Sequence, residues 1–125
     1  MGEHFRKDAA IDFLKRVAAG QVAEAFERHV GPGFRHHNPH IRGDAASLRE
    51  AMEDDAKRYP HKILDVQVAL QDGEQVAVLS RIAQNTGDPV WAVVHIFRFD
   101  GKRIVEMWDV GQAVPDKAVN EYGMF

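Results

Sequence analysis

The sequence predicts an α+β fold, helices first and an antiparallel sheet after them, on two observations. Up to Tyr59 the apolar residues recur at helical spacing, and from His61 onward they alternate. Between the alternating runs stand Asp72-Gly73, Thr86-Gly87-Asp88-Pro89 and Asp100-Gly101, residue types that turn a chain back on itself. Consecutive strands joined by short turns pair antiparallel. Three helices and a four-stranded meander are therefore expected.

Taken in order, Asp8 is placed to cap a helix whose apolar positions are Ile11, Leu14, Val17 and Ala18, with Gly20 closing it. Val22, Ala25, Phe26 and Val30 form the stripe of a second, short helix, stopped by Gly31-Pro32-Gly33. Phe34 to Pro39 is too short and polar for a core element, though the proline favours an extended segment before it. A third helix starts near Asp44 or Ser47, where Ser47-Leu48-Arg49-Glu50 has the capping-box form. Leu48, Ala51, Met52, Ala56 and Tyr59 give its apolar side, Pro60 lies beyond its end, and Glu53-Asp54-Asp55 reads as a solvated face. Leu64, Val66, Val68 and Leu70 alternate, Val76, Val78 and Leu79 follow, and Val93 to Val110 supplies the last two strands.

Length and composition bound the function. The 125 residues suit a single domain spanning 1–125 with a core of its own. Sixteen Lys and Arg against nineteen Asp and Glu give a formal charge of −3, with no basic stripe, so neither nucleic acid nor an anionic membrane is an expected partner. The absence of cysteine removes disulfides, thiol catalysis and thiolate metal sites. No apolar run reaches spanning length, the N-terminal residues lack a signal-peptide core, and Gly2 is followed by Arg6 where myristoylation wants Ser or Thr. A cytoplasmic protein is the expectation.

The chemistry concentrates in VVHIFRFDGKRIVEMWDV, residues 93–110. His95 and Asp109 stand there among valine, isoleucine, phenylalanine, methionine and tryptophan. Burying ionisable groups in such company costs free energy unless something compensates, and two on paired strands suggest an acid–base pocket. Their relation depends on the hairpin turn. A two-residue Asp100-Gly101 loop pairs Phe99 with Lys102 and puts them on opposite faces. A Phe99-Asp100-Gly101 loop with Gly101 left-handed pairs Arg98 with Lys102 and puts them on one face. In that second register, adopted here because it gathers the polar groups, His95 opposes Val105, Asp109 opposes Trp91, and Val93, Phe97 and Met107 share their surface. Val94, Ile96, Ile104 and Trp108 then form a second apolar face. Helices can cover only one face, so a homodimer through the outer one is expected.

Three segments carry a resemblance that covers nearly the whole chain: Arg35-His36-His37-Asn38-Pro39, the hairpin Val94-His95-Ile96-Phe97-Arg98 with Asp100-Gly101-Lys102, and Val105-Glu106-Met107-Trp108-Asp109-Val110. Together with the terminal Gly123-Met124-Phe125 they resemble the SnoaL-like polyketide cyclase branch of the nuclear-transport-factor-2-like superfamily. The resemblance implies a cone-shaped α+β barrel, helices packed on a curved sheet around a pocket. It also implies that Asp109 is the acid–base group, that His95 stands beside it, and that His37 lies at the pocket mouth or wall. Trp91, Val93, Phe97 and Met107 complete the expected substrate-binding set.

His36, His37 and His40 invite a metal reading, but no His-Glu-x-x-His motif accompanies them, so neither metal nor organic cofactor is expected. The expected function is cofactor-independent acid–base chemistry on a small apolar carbonyl compound, an aldol-type cyclisation or an isomerisation. The same pocket would equally serve a non-catalytic small-ligand binder. An epoxide hydrolase of this superfamily would need a second carboxylate and a positioning arginine, and Arg81 or Arg98 with Asp65 offers no convincing spacing.

Overall fold

Helix α1 (Phe5–Ala18) opens the computed structural model, which describes residues 4–125; Gly2 lies outside them. The helix starts before Asp8, which therefore sits in its first turn, where negative charge favours the N-terminus, rather than at the cap. Gly20, at a φ of 84°, ends it: the Gly20 and Gln21 N–H groups donate to the Val17 and Arg16 carbonyls at 3.1 and 2.8 Å. The chain continues through α2 (Val22–His29), β1 (Val30–His36), α3 (Ala45–Arg58), β2 (Ile63–Asp72), β3 (Gln75–Ala83), β4 (Trp91–Asp100) and β5 (Arg103–Ala113). Asp44 caps α3, accepting from the Ser47 N–H at 2.9 Å and its hydroxyl at 2.8 Å.

The strands form one curved sheet in the order β1-β5-β4-β3-β2, open between its two edges. Strands β2 to β5 are the expected meander. Strand β1 corrects the reading that left this segment out of the core. The chain passes directly from α2 into β1, which runs parallel to β5 with Val30 opposite Ile104 and His36 opposite Met107. Its register shifts between Val30 and Arg35, around Pro32 and the left-handed Gly33, so no alternation survives to mark a strand. An edge position tolerates that proline. At Gly31 a Cβ would stand 2.7 Å from the Arg103 Cβ, so glycine is what lets the two strands close.

The β4–β5 hairpin turns differently from both expected registers. Asp100 pairs with Arg103 around Gly101-Lys102, Gly101 taking a φ of 59°. Phe99 pairs with Ile104, but Arg98 pairs with Glu106, so Val105 is an extra residue, a β-bulge. Beyond it His95 directly opposes Asp109, and Trp91 opposes Ala113 rather than Asp109. The Gly101-Lys102 turn, by pairing Ile104 with Phe99, puts Ile104 in the core rather than on the expected outer face, and it is fully buried.

The core lies between the helices and the inner sheet face. Phe13 of α1 is its centre, with ring centroids 5.5 Å from Phe26 and 6.0 Å from Phe97. Arg6 fastens α1 to two of the hairpin turns, donating to the Gly73 carbonyl at 2.9 Å and the Gly101 carbonyl at 3.1 Å. The outer sheet face keeps Val68, Leu70, Val94, Ile96 and Val110 exposed. No helix among the described residues is long and apolar enough to cross a membrane. Truncating Phe13 to alanine is expected to cost about 3–5 kcal/mol, because three elements lose their common contact; urea denaturation of the purified variant measures it.

Candidate active site

Beneath the helices a cavity of about 310 Å³ opens on the inner sheet face. Its walls are apolar: Leu14, Val17 and Ala18 from α1, Leu48, Ala51 and Met52 from α3, Leu64 and Ile82 from β2 and β3. Into it project Asn38, His95 and Asp109, and elsewhere on its wall Asp55 and Lys62.

His95 and Asp109 arrive from adjacent strands as direct partners across the ladder. The imidazole of His95 is buried, with the Phe97 ring 6.1 Å away at 17°. Its Nδ1 is shut away from solvent without a hydrogen-bond partner. Burial lowers the histidine to about 4 against an ordinary 6.5, the nearby Asp109 charge opposing that shift only in part. His95 is therefore a neutral imidazole near neutral pH.

Asp109 is held by Asn38, whose amide nitrogen donates to both carboxylate oxygens at 3.2 Å. Asn38 is oriented in turn, its Oδ1 accepting from the His40 N–H at 2.9 Å. His36 anchors this loop from below: its Nε2–H donates to the Arg42 carbonyl at 2.5 Å and its Nδ1 accepts from the Asn38 N–H at 3.2 Å. Residues along an extended segment point alternately to its two sides. His36 therefore goes inward, His37 outward and Asn38 inward again.

That alternation decides the fate of His37, and depth along the sheet that of the other expected pocket residues. His37, expected at the pocket wall, lies on the outer sheet face, 2.6 Å from Glu106 and stacked on Trp108 at 5.0 Å. Phe97 and Met107 are sealed in the core, and Trp91 is 47% exposed. Neither they nor Val93 line the cavity. The three histidines of the His-His-Asn-Pro-His segment diverge, and among the described residues no group of three His, Cys, Asp or Glu is arranged to hold a metal ion.

Three polar cavity residues, Asn38, Asp55 and Lys62, escaped the sequence reading. Asn38 lies inside the very motif that drew attention to His37. Asp55, expected on a solvated helix face, instead accepts from the Lys62 ammonium through Oδ2 and from the Gln84 amide through Oδ1 at 3.5 Å. Asp55 does follow Leu48 and Ala51 on the same helical stripe, a spacing that places it inward. The cavity thus has a second carboxylate, but its cationic partner is lysine, and no arginine lines it.

On the outer face Glu106 is buried beneath Arg35, His37 and Arg98, at 2.9, 2.6 and 3.0 Å. Hydrogen bonds from Arg35 and then His37 hold it down to about 2 against an ordinary 4.5, outweighing its burial.

Residues 10–107 match the model of the SnoaL-like domain. The chain belongs to that family. Among solved structures, this SnoaL-like chain is similar to AclR, a candidate hydroxylase from Streptomyces galilaeus, at 22% identity and a TM-score of 0.72, covering 86% of this chain and 88% of that one. It is similar to a candidate polyketide cyclase from Acidithiobacillus ferrooxidans at 18% identity and a TM-score of 0.71, over 90% and 92% of the two chains. A SnoaL-like protein of unknown function from Burkholderia thailandensis superposes with a TM-score of 0.73 at 13% identity, over 90% and 98%. These likenesses establish the fold. No curated protein matches the sequence.

The two displaced titrations give separable acid sensitivities. The unfolded chain protonates its histidine near 6.5, whereas folded His95 resists until about 4. The stability from keeping His95 neutral is therefore complete above the first value and lost as pH falls through the second, on the order of 3 kcal/mol. Glu106 contributes in the same direction lower down, between 4.5 and 2. In His95→Gln, unfolding free energy measured against pH should lose its upper slope and keep its lower one.

Proposed function

We propose that this SnoaL-like protein is a cofactor-independent enzyme acting on a small carbonyl compound, with Asp109 as the base and His95 as the group facing the developing enolate oxygen. The observation that carries this reading is the direct opposition of His95 and Asp109 on the floor of one largely apolar cavity. Asp109 takes the proton α to the carbonyl; the C–H pair moves into the enolate, and charge gathers on oxygen. A neutral imidazole with its proton on Nε2 donates to that oxygen without first having to lose a charge. Asn38 holds the carboxylate in place, so its orientation is set before the substrate arrives.

Two outcomes share this first step. The enolate carbon can attack a second carbonyl of the same molecule, Asp109 then returning its proton to the new alkoxide, which completes an aldol cyclisation. Alternatively the proton returns at a different carbon, which moves a double bond. Apolar walls favour both, because the charge meets fixed donors instead of water. A cavity near the lower end of the usual range of about 300–1,000 Å³ limits the substrate to a small molecule. A non-catalytic binder is the competing reading, since the same pair would orient a ligand by hydrogen bonds.

Deuterium exchange into small ketones and β-diketones, followed by NMR, separates the readings. Wild type is expected to exchange the α-protons and Asp109→Asn to lose at least about a hundredfold in rate with thermal stability retained. Equal exchange by the two proteins removes Asp109 as the base, and exchange by neither favours the binder. Asn38→Ala should fall between them, with kcat reduced more than KM changes.

The exposed apolar strip of the outer face supports a second copy of the chain as its cover. Ile96 is 38% exposed at the middle of that strip, so Ile96→Glu is expected to turn a dimer into a monomer in sedimentation velocity. A wild-type protein that sediments as a monomer removes the dimer.

A further inference from the structure

The cavity has a second polar end that the proton transfer leaves unused. Lys62, just before β2, lines the cavity with Leu64 and Ala18 and pairs with Asp55 of α3; its side chain is only 18% exposed. Ala18, Lys62 and Leu64 also line a neighbouring hollow of about 190 Å³, which Lys15 of α1 borders. The two spaces therefore share Ala18, Lys62 and Leu64 as common lining. Lys15 has no ion-pair partner among the described residues. Two ammonium groups against the one carboxylate of Asp55 leave this end with one net positive charge. At the other end the neutral His95 stands opposite the Asp109 carboxylate.

From this polarity we infer that the ligand is a carbonyl compound bearing a carboxylate, with the carboxylate held by Lys62 and Lys15 and the carbonyl turned toward His95 and Asp109. The inference deepens the function proposed above and rests on its assignment of the reacting end. A monoanion matches the single uncompensated charge, whereas a phosphate dianion would leave a negative excess. The rest of the wall, with Leu14, Val17, Met52 and Ile82, is apolar and suits a hydrocarbon spacer. The reversed pose would press the ligand carboxylate against Asp109, so like-charge repulsion enforces a single direction of binding. Asp55 keeps Lys62 in its apolar wall, because an ammonium there without a partner is strongly disfavoured.

The test is equilibrium binding, which does not require turnover. Levulinate and oxoheptanoate, each beside its methyl ester, are titrated into the protein while the amide signals of Ala18, Leu64 and His95 are followed by NMR. One of the acids is expected to bind at least about tenfold more tightly than its ester. Lys62→Met should erase that preference and leave the ester affinity unchanged. Asp55→Asn, which frees the Lys62 charge, should strengthen acid binding alone. Because Lys62→Met strands the Asp55 carboxylate, the neutral pair Lys62→Met with Asp55→Asn replaces it if the single variant does not fold. Equal affinities for acid and ester at both chain lengths, variants that move both alike, or no binding by any of the four compounds would overturn the assignment. Proton exchange measured on the same samples keeps the two readings apart: an acid preference without exchange removes the enzyme and leaves the carboxylate site.

Discussion

One extra residue on β5 decides which side chains of the hairpin face the cavity. Without the bulge at Val105 the hairpin would continue in the register of its turn, and every side chain from Glu106 onward would change faces. Asp109 would then stand among the outer-face residues and Glu106 would be forced into the core. With the bulge, the ladder places Asp109 beside His95 and Glu106 beside Arg98. The placement is made by backbone hydrogen bonds running the length of two long strands, so it is stiff in a way that a loop-borne pair is not. The turn itself is pinned to α1 through Arg6, which fixes the end from which the register is counted.

The segment after β1 does the complementary work from the other side. His36 spends both ring nitrogens on the loop backbone, and this shapes the turn that delivers Asn38 to Asp109. Its neighbour His37 reaches the opposite face and closes over Glu106. Two carboxylates on one strand, three residues apart across the sheet, thus receive opposite treatment. Glu106 is saturated with cationic partners and committed to structure. Asp109 receives one neutral amide donor and keeps an apolar cavity before it.

Helix and strand order was legible in the sequence because periodicity is strong in every element that buries one side. Strand β1 was not, since its pairing is interrupted at a glycine-proline-glycine step and no alternation remains to be read. That His95 and Asp109 share a face was legible from their parity, given a bulge; where the bulge falls was not, because Asp-Gly permits several loops and Val105 has nothing to distinguish it from its neighbours. The wall residues were the least legible part. Val93, Phe97 and Met107 have the right parity, but depth along the sheet decides whether a side chain meets the cavity or the core, and alternation carries no information on depth. Lys62 and Asp55 look like ordinary surface charges until α3 is laid across the sheet.

The chemistry and the shape of this cavity come from different layers of the fold. The proposed reacting groups stand on strands whose spacing is fixed by the ladder, while most of the apolar wall belongs to α1 and α3. Leu14, Val17, Ala51 and Met52 can therefore be exchanged for larger or smaller side chains, and the helices shifted slightly on their sheet, without altering how the histidine and the aspartate face each other. A scaffold divided this way can change what it accepts in small steps while keeping what it does, and its evolutionary freedom lies in the helical layer.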